Sequence, residues 1–254
     1  MAAAIHGAVQ SYVKELDAFV NLAGGFAPNA WAHMRWAEGA TVCLWLADHP
    51  ATASPAAASA VALARNMAAR YFNWANFLTD PAAIAATTSA SDPSHPHFAN
   101  CPPNSSQCHH GVNVGQALQE PAMRYRLSGN RAYLRNSTLA VRTLWRLHGQ
   151  ASGIYSAEDN LAGLEPSKGT ETCTVNEAML SLFTAAWAAD TVADRAMLLN
   201  RAEVIAVNAL PAPWRAGKMW QLQYHHQVNA FAAPQHSHPE GFDPDSLGYG
   251  LPCE

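Results

Sequence analysis

Apolar residues along this chain recur mostly three and four positions apart, the signature of helices with one buried face. The clearest case follows residue 173. There Val175, Met179, Leu182, Phe183 and Ala186 fall on one side. Thr174 and Glu177 have capping-box spacing, so a helix over 174–188 is predicted to begin at Thr174. A second stripe, Tyr133, Val141, Leu144 and Trp145, predicts a helix over 131–148 that Gly149 ends. Earlier, Trp31, Met34, Val42 and Trp45 predict a helix from the turn at Pro28 to Leu46, stopped by Asp48-His49-Pro50. Pro55 opens the next, whose Val61, Ala64, Met67, Tyr71 and Phe72 carry it to Trp74 or Phe77. Three more are predicted: a modest one over 5–22, one from Gly111 through Val114, Leu118 and Met123 that bends at Pro121, and one over 191–209.

The breaks between these stripes are uneven. Residues 79–108 read as one long loop rich in Asp-Pro and His-Pro steps, and 150–173 as another. Residues 218–232 read as extended or irregular. Sustained period-two alternation, the mark of a half-buried strand, is absent. The expected fold is therefore all-α, a single domain of antiparallel helix pairs forming a bundle, solenoid or toroid of six or seven helices.

Composition narrows the function. Charged residues make up 13% of the 254 and hydrophobic ones 49%, which suits a chain with much buried helix rather than a disordered one. A net charge of −4 provides no basic field for nucleic acid. No run approaches the roughly 18 uninterrupted apolar residues of a membrane span. The first residues show no signal-peptide pattern, and the compartment stays open.

Candidate chemistry gathers just before the helix at 174. Glu171 and Cys173 stand where backbone N–H groups and the helix dipole favour anions, and a thiol there ionises more readily. The five cysteines, at 43, 101, 108, 173 and 253, form no CxxC pair, and their odd number leaves at least one unpaired. Cys101 and Cys108 flank a short loop and are placed for a local disulfide. His225-His226 and His236/His238 have metal-ligand spacing, a pattern that His-rich tails often produce.

Four ordered strings carry a resemblance: His110-Gly111-Val112-Asn113-Val114 with Gln116 and Glu120-Pro121-Ala122; Gly169-Thr170-Glu171-Thr172-Cys173; Asn208-Ala209-Leu210-Pro211-Ala212; and Gln223-Tyr224 with Gln227-Val228-Asn229. Together they resemble the β-L-arabinofuranosidase-like glycoside hydrolases of family 127, over most of residues 28–254. The resemblance implies a partial (α/α)6 barrel, cut short at both ends, and a carbohydrate substrate. It implies a retaining mechanism with a Cys nucleophile and a Glu acid/base, and a zinc ion held by one Glu and three Cys. On this sequence the acid/base matches Glu158. Two zinc ligands match Glu171 and Cys173, and Cys253 matches a third ligand or the nucleophile. His110 and Tyr224 match residues of the sugar pocket. The family has a second Cys adjacent to the position of Cys253; here Glu254 follows, so weak or absent activity is expected of this chain. The alternative is a non-catalytic, carbohydrate-binding or vestigial domain.

Overall fold

A computed structural model describes residues 2–21, 30–49, 55–85, 107–157, 160–164 and 169–212. Eleven α-helices follow one another among them: α1 (Ala2–Val20), α2 (Ala30–Met34), α3 (Trp36–Asp48), α4 (Pro55–Arg70), α5 (Trp74–Phe77), α6 (Pro81–Ala85), α7 (Gly111–Ala117), α8 (Glu120–Ser128), α9 (Ala132–His148), α10 (Thr172–Ala188) and α11 (Val192–Val204). A π-helical turn, Ile205–Ala209, closes α11. Among the described residues there are isolated bridges and no strands, so the all-α reading holds for them. None of the described helices is long and apolar enough to cross a membrane.

The helices pack in successive pairs: α3 on α4, α8 on α9, α10 on α11. α7 lies along α10, and α1 covers α3 and α4. Two hydrophobic clusters result. One, around Trp36, Leu46, Leu63 and Met67, joins α1, α3 and α4 and takes in Met123 of α8. The other, around Trp74, Leu118, Leu144, Trp145, Tyr155 and Leu182, joins the remainder. α9 shows the pattern most plainly, burying Leu134, Val141, Leu144, Trp145 and His148 while Arg135, Arg142 and Arg146 face water.

Several predicted boundaries move, each for a local reason. The helix expected to run unbroken to Leu46 is interrupted at Arg35, whose ψ of 15° leaves the helical range. The carbonyl of Met34, just before the break, accepts the Trp74 indole N–H at 2.8 Å, and Trp36 donates to Phe72 O at 3.0 Å. Those indoles take over carbonyls that a continuous helix would use itself, and the stripe from Pro55 breaks at Phe72 for the same reason. α6 lies inside the predicted 79–108 loop. Its Asp80 side chain accepts the Ala82 N–H at 2.9 Å with Pro81 opening the helix, a helix start that an Asp-Pro step also signals. The helix from Gly111 breaks at Leu118-Gln119 rather than bending at Pro121, which sits in the first turn of α8 where no N–H is needed. Gly129 then takes φ 72°, the left-handed conformation that ends α8. α10 starts at Thr172, two residues before the predicted cap: Glu171 is the N-cap, and Thr174 lies inside the first turn. Phe183, expected on the buried face, is 40% exposed, and Leu180 and Trp187 on the same side are more exposed still.

Candidate functional site

The N-termini of α7 and α10 lie side by side because α7 presents glycines to its neighbour. A methyl group on Gly111 would collide with Ala157 and press on Thr174 Oγ1. One on Gly115 would sit 3.1 Å from the Ala178 backbone nitrogen and 3.0 Å from the Tyr155 hydroxyl. Only glycine permits so close an approach.

The irregular segment before α10 clamps both ends. Glu171 N–H donates to Ala157 O at 2.8 Å, Ala157 N–H to Gly169 O at 3.0 Å, and Leu161 N–H to His109 O at 2.9 Å. Tyr155, fully buried, donates its hydroxyl to Gly111 O at 2.9 Å and accepts Thr170 Oγ1 on its carbonyl at 2.8 Å. Glu171 and His110 are thus fixed by one backbone network.

His110 is the N-cap of α7, and its Nε2 lies 4.0 Å from Glu171 Oε2. That is too long for a hydrogen bond. Burial, and then the charge of Arg35, push the His110 pKa down to about 4, so the ring is neutral near pH 7 and the contact is not an ion pair. Its Nδ1 is buried without a hydrogen-bond partner. Trp31 meets the imidazole edge-on at 4.7 Å and carries the Arg35 guanidinium 4.5 Å above its own ring. Arg35 Nε donates to Asn113 Oδ1 at 2.7 Å, and Asn113 in turn donates to Gln107.

One turn into α3, Glu38 accepts Gln116 Nε2 at 2.8 Å and is hydrogen-bonded to the carboxyl of Glu177 from α10. Two carboxyls can bond only with a proton between them. Burial first, then the Glu177 charge, raise the Glu38 pKa to about 7, against the pull of Arg35 and Gln116. Around this pair, Gln116 Oε1, Glu177 Oε2 and Thr174 Oγ1 are buried with no hydrogen-bond partner. Burial, then the charges of Glu177 and Glu171, hold the Tyr155 phenol far above its ordinary range.

Of the residues singled out in the sequence, the structure therefore brings His110 and Glu171 together and sets Cys173, a half-buried reduced thiol, two positions after Glu171 on α10. Ala157, the residue before Glu158, pairs with Glu171. Glu158, Tyr224 and Cys253 lie outside the described residues, as do His225, His226, His236 and His238. So does Cys101. Cys108 is disulfide-bonded, to a partner outside the described residues. Cys43 is a core thiol whose pKa burial, and then Asp17, push up to about 12, which leaves it unreactive. Among the described residues no group of three or more His, Cys, Asp or Glu is placed to hold a metal ion. Glu171 and Cys173 amount to two of the four donors of a tetrahedral zinc, so the described residues do not make that site by themselves.

Arg35, Glu38, Asn113, Gln116 and Tyr155 go unnoticed as site residues in the sequence, and Glu177 is read there as a cap and as part of the motif that follows Cys173. One signal for Glu38 is present: a lone acid within the apolar run Trp36-Ala37-Glu38-Gly39-Ala40. A charge there calls for a partner. Compared with known family models, curated proteins and solved structures, the chain matches none.

Proposed function

We propose that this chain is the barrel portion of a retaining glycoside hydrolase of the β-L-arabinofuranosidase-like type, and that its paired helices are successive hairpins of an α/α toroid. The observation that carries the proposal is the approach of His110 to Glu171. Each belongs to a different motif of the resemblance, and the two meet at adjacent helix ends, with the backbone of Ala157 bound to Glu171 just before Glu158.

In this reading the Cys253 thiolate attacks the anomeric carbon while Glu158 protonates the departing oxygen. Glu158 then takes a proton from the water that releases the sugar. Glu171 and Cys173 would contribute two ligands to a zinc ion, which when bound would keep thiolates ionised at neutral pH. Neutral His110 and Tyr224 hydrogen-bond sugar hydroxyls. Trp31, 40% exposed beside His110, offers a ring face to the sugar's C–H side.

One observation favours a second reading, carbohydrate binding without turnover: Glu254 stands where the family has the second Cys of its zinc site.

Elemental analysis and hydrolysis of aryl L-arabinofuranosides test the proposal together. Expected are bound zinc, held more weakly than by a four-ligand site because the second Cys is missing, and at most weak turnover, both lost in Glu171→Gln and Cys173→Ser, with Glu158→Gln keeping zinc and losing turnover. Saturable sugar binding with neither zinc nor turnover would select the second reading; no zinc, no turnover and no binding would remove both.

A further inference from the structure

Three helices bring side-chain oxygens into one polar chamber: Glu38 from α3, Gln116 from α7, and Glu177 from α10 with Thr174 one turn before it on the same face. Glu38 shares a hydrogen bond with Glu177 and accepts Gln116 Nε2 at 2.8 Å, so these side chains form one cluster. It is short of positive charge and of donors. Among the described residues no lysine or arginine forms an ion pair with either acid. Arg35, whose charge Glu38 feels, is turned to Asn113 and to the Trp31 ring. Glu177 Oε2, Gln116 Oε1 and Thr174 Oγ1 are buried without a hydrogen-bond partner, the last two on side chains 3% and 0% exposed. Buried oxygens left so are costly, and each calls for a ligand.

We propose that Glu38, Gln116, Thr174 and Glu177 bind a calcium ion. A water molecule could satisfy the amide and hydroxyl oxygens, but it brings no charge to two carboxyl groups set face to face. A cation answers both needs. The donors are all hard oxygens, which suit calcium; the thiolate and imidazole donors that favour zinc take no part. Calcium accepts amide oxygens beside mono- or bidentate carboxylates, so two acids suffice. Magnesium fits less well, because it holds on to its waters and a strict octahedron, and these oxygens are buried. On binding, the proton shared by Glu38 and Glu177 leaves to solvent and both carboxylates face the metal. The ion then ties α3, part of the first hydrophobic cluster, to α7 and α10 of the second. None of this rests on the function proposed above.

The test is calorimetric titration of the chelator-treated chain with calcium chloride, alongside thermal unfolding. Expected are about one calcium per chain with a Kd on the order of 1 mM or below, and a Tm several degrees higher in saturating calcium than in EGTA. Magnesium chloride at the same concentration should raise Tm less. Glu38→Gln and Gln116→Leu each remove a ligand and should weaken binding at least about tenfold, with helix content by circular dichroism unchanged. Glu203→Gln, an exposed acid on α11, should bind as the parent does. Cys173→Ser should keep calcium whatever it does to zinc. No heat and no Tm shift with calcium, unchanged affinity in Glu38→Gln and Gln116→Leu, or a magnesium effect as large as that of calcium would each overturn the proposal. Calcium binding without zinc or glycoside hydrolysis would leave it standing and remove only the hydrolase reading.

Discussion

Glu120 is fully buried and Glu38 half-buried, the pKa values of both rise to about 7, and their partners act in opposite directions. Glu120, with no exposed surface, is raised by burial alone. Arg124, 2.5 Å away, and the backbone of Ala75 and Trp74 at the start of α5 all favour its charged form. Glu38 is raised by burial and also by a second carboxyl, Glu177. The first acid has surroundings built to receive its charge. The second has surroundings that add to the cost of charging it, beside acceptor atoms left without donors. Structural ion pairs look like the former; groups kept for binding or proton chemistry look like the latter.

Removing partners separates the two. The largest effect is expected for Arg124→Ala, which strips the cation from Glu120 and the packing over the Trp36 ring, at about 3–5 kcal/mol near pH 8. The Glu120 pKa then climbs further. Stability of the variant should fall as pH rises above the ordinary 4.5, and the deficit should shrink toward pH 5, where the carboxyl is protonated in any case. Urea titrations at the two pH values measure this.

Gly111→Ala breaks the chamber without touching a charge. Its methyl collides with Ala157 and Thr174, so a loss of about 1–3 kcal/mol is expected at every pH. A strongly pH-dependent loss would mean that the substitution acts through the acids and not through packing.

Glu38→Gln should do the reverse of Arg124→Ala. The folded-state pKa of Glu38 lies above its unfolded value of 4.5, so the favourable protonated contact is intact below pH 4.5 and lost as pH rises through about 7. The amide keeps a donor toward Glu177 and never ionises. Relative to the parent it should gain about 1–2 kcal/mol at pH 8, allowing for partial exposure, and almost nothing at pH 4. A loss at pH 8 would show that the ionised pair is stabilised by something other than the shared proton.

The smallest effect belongs to Asp48→Asn. Asp48 is largely and Arg126 partly exposed, and unpairing them should change stability by less than about 1 kcal/mol, fading further in high salt.

The helix pattern was legible wherever burial alone decided it. α9 and α10 lie within a residue or two of their predicted limits because their apolar spacing has a single solution. The splits at Arg35 and Phe72 were not legible, since they depend on indole N–H groups of Trp74 and Trp36 arriving from about 40 residues away to claim backbone carbonyls. α6 is not legible because Asp80-Pro81 serves equally as a turn and as a helix start, and only tertiary cover selects between them. The apolar spacing places Phe183 inward because hydrophobicity marks a stripe without saying whether a neighbour exists to cover it. At the candidate site, His110 and Glu171 could be picked out as chemically suited residues. The Glu38–Glu177 pairing could not: Glu38 stands out as a lone acid in an apolar run, but nothing in the sequence names Glu177 as its partner.

The seam between α7 and α10 also has a consequence for the order of folding. Ser181 donates to Gln116 O at 3.2 Å across 65 positions of chain, and the α8–α9 hairpin lies entirely within that interval. Contacts so distant in sequence close slowly compared with helix formation and local pairing. The hairpin is therefore expected to form first and carry α10 back onto the glycines of α7. The chamber is then among the last features to assemble, so in refolding from denaturant the far-ultraviolet helix signal should precede the burial of Tyr155.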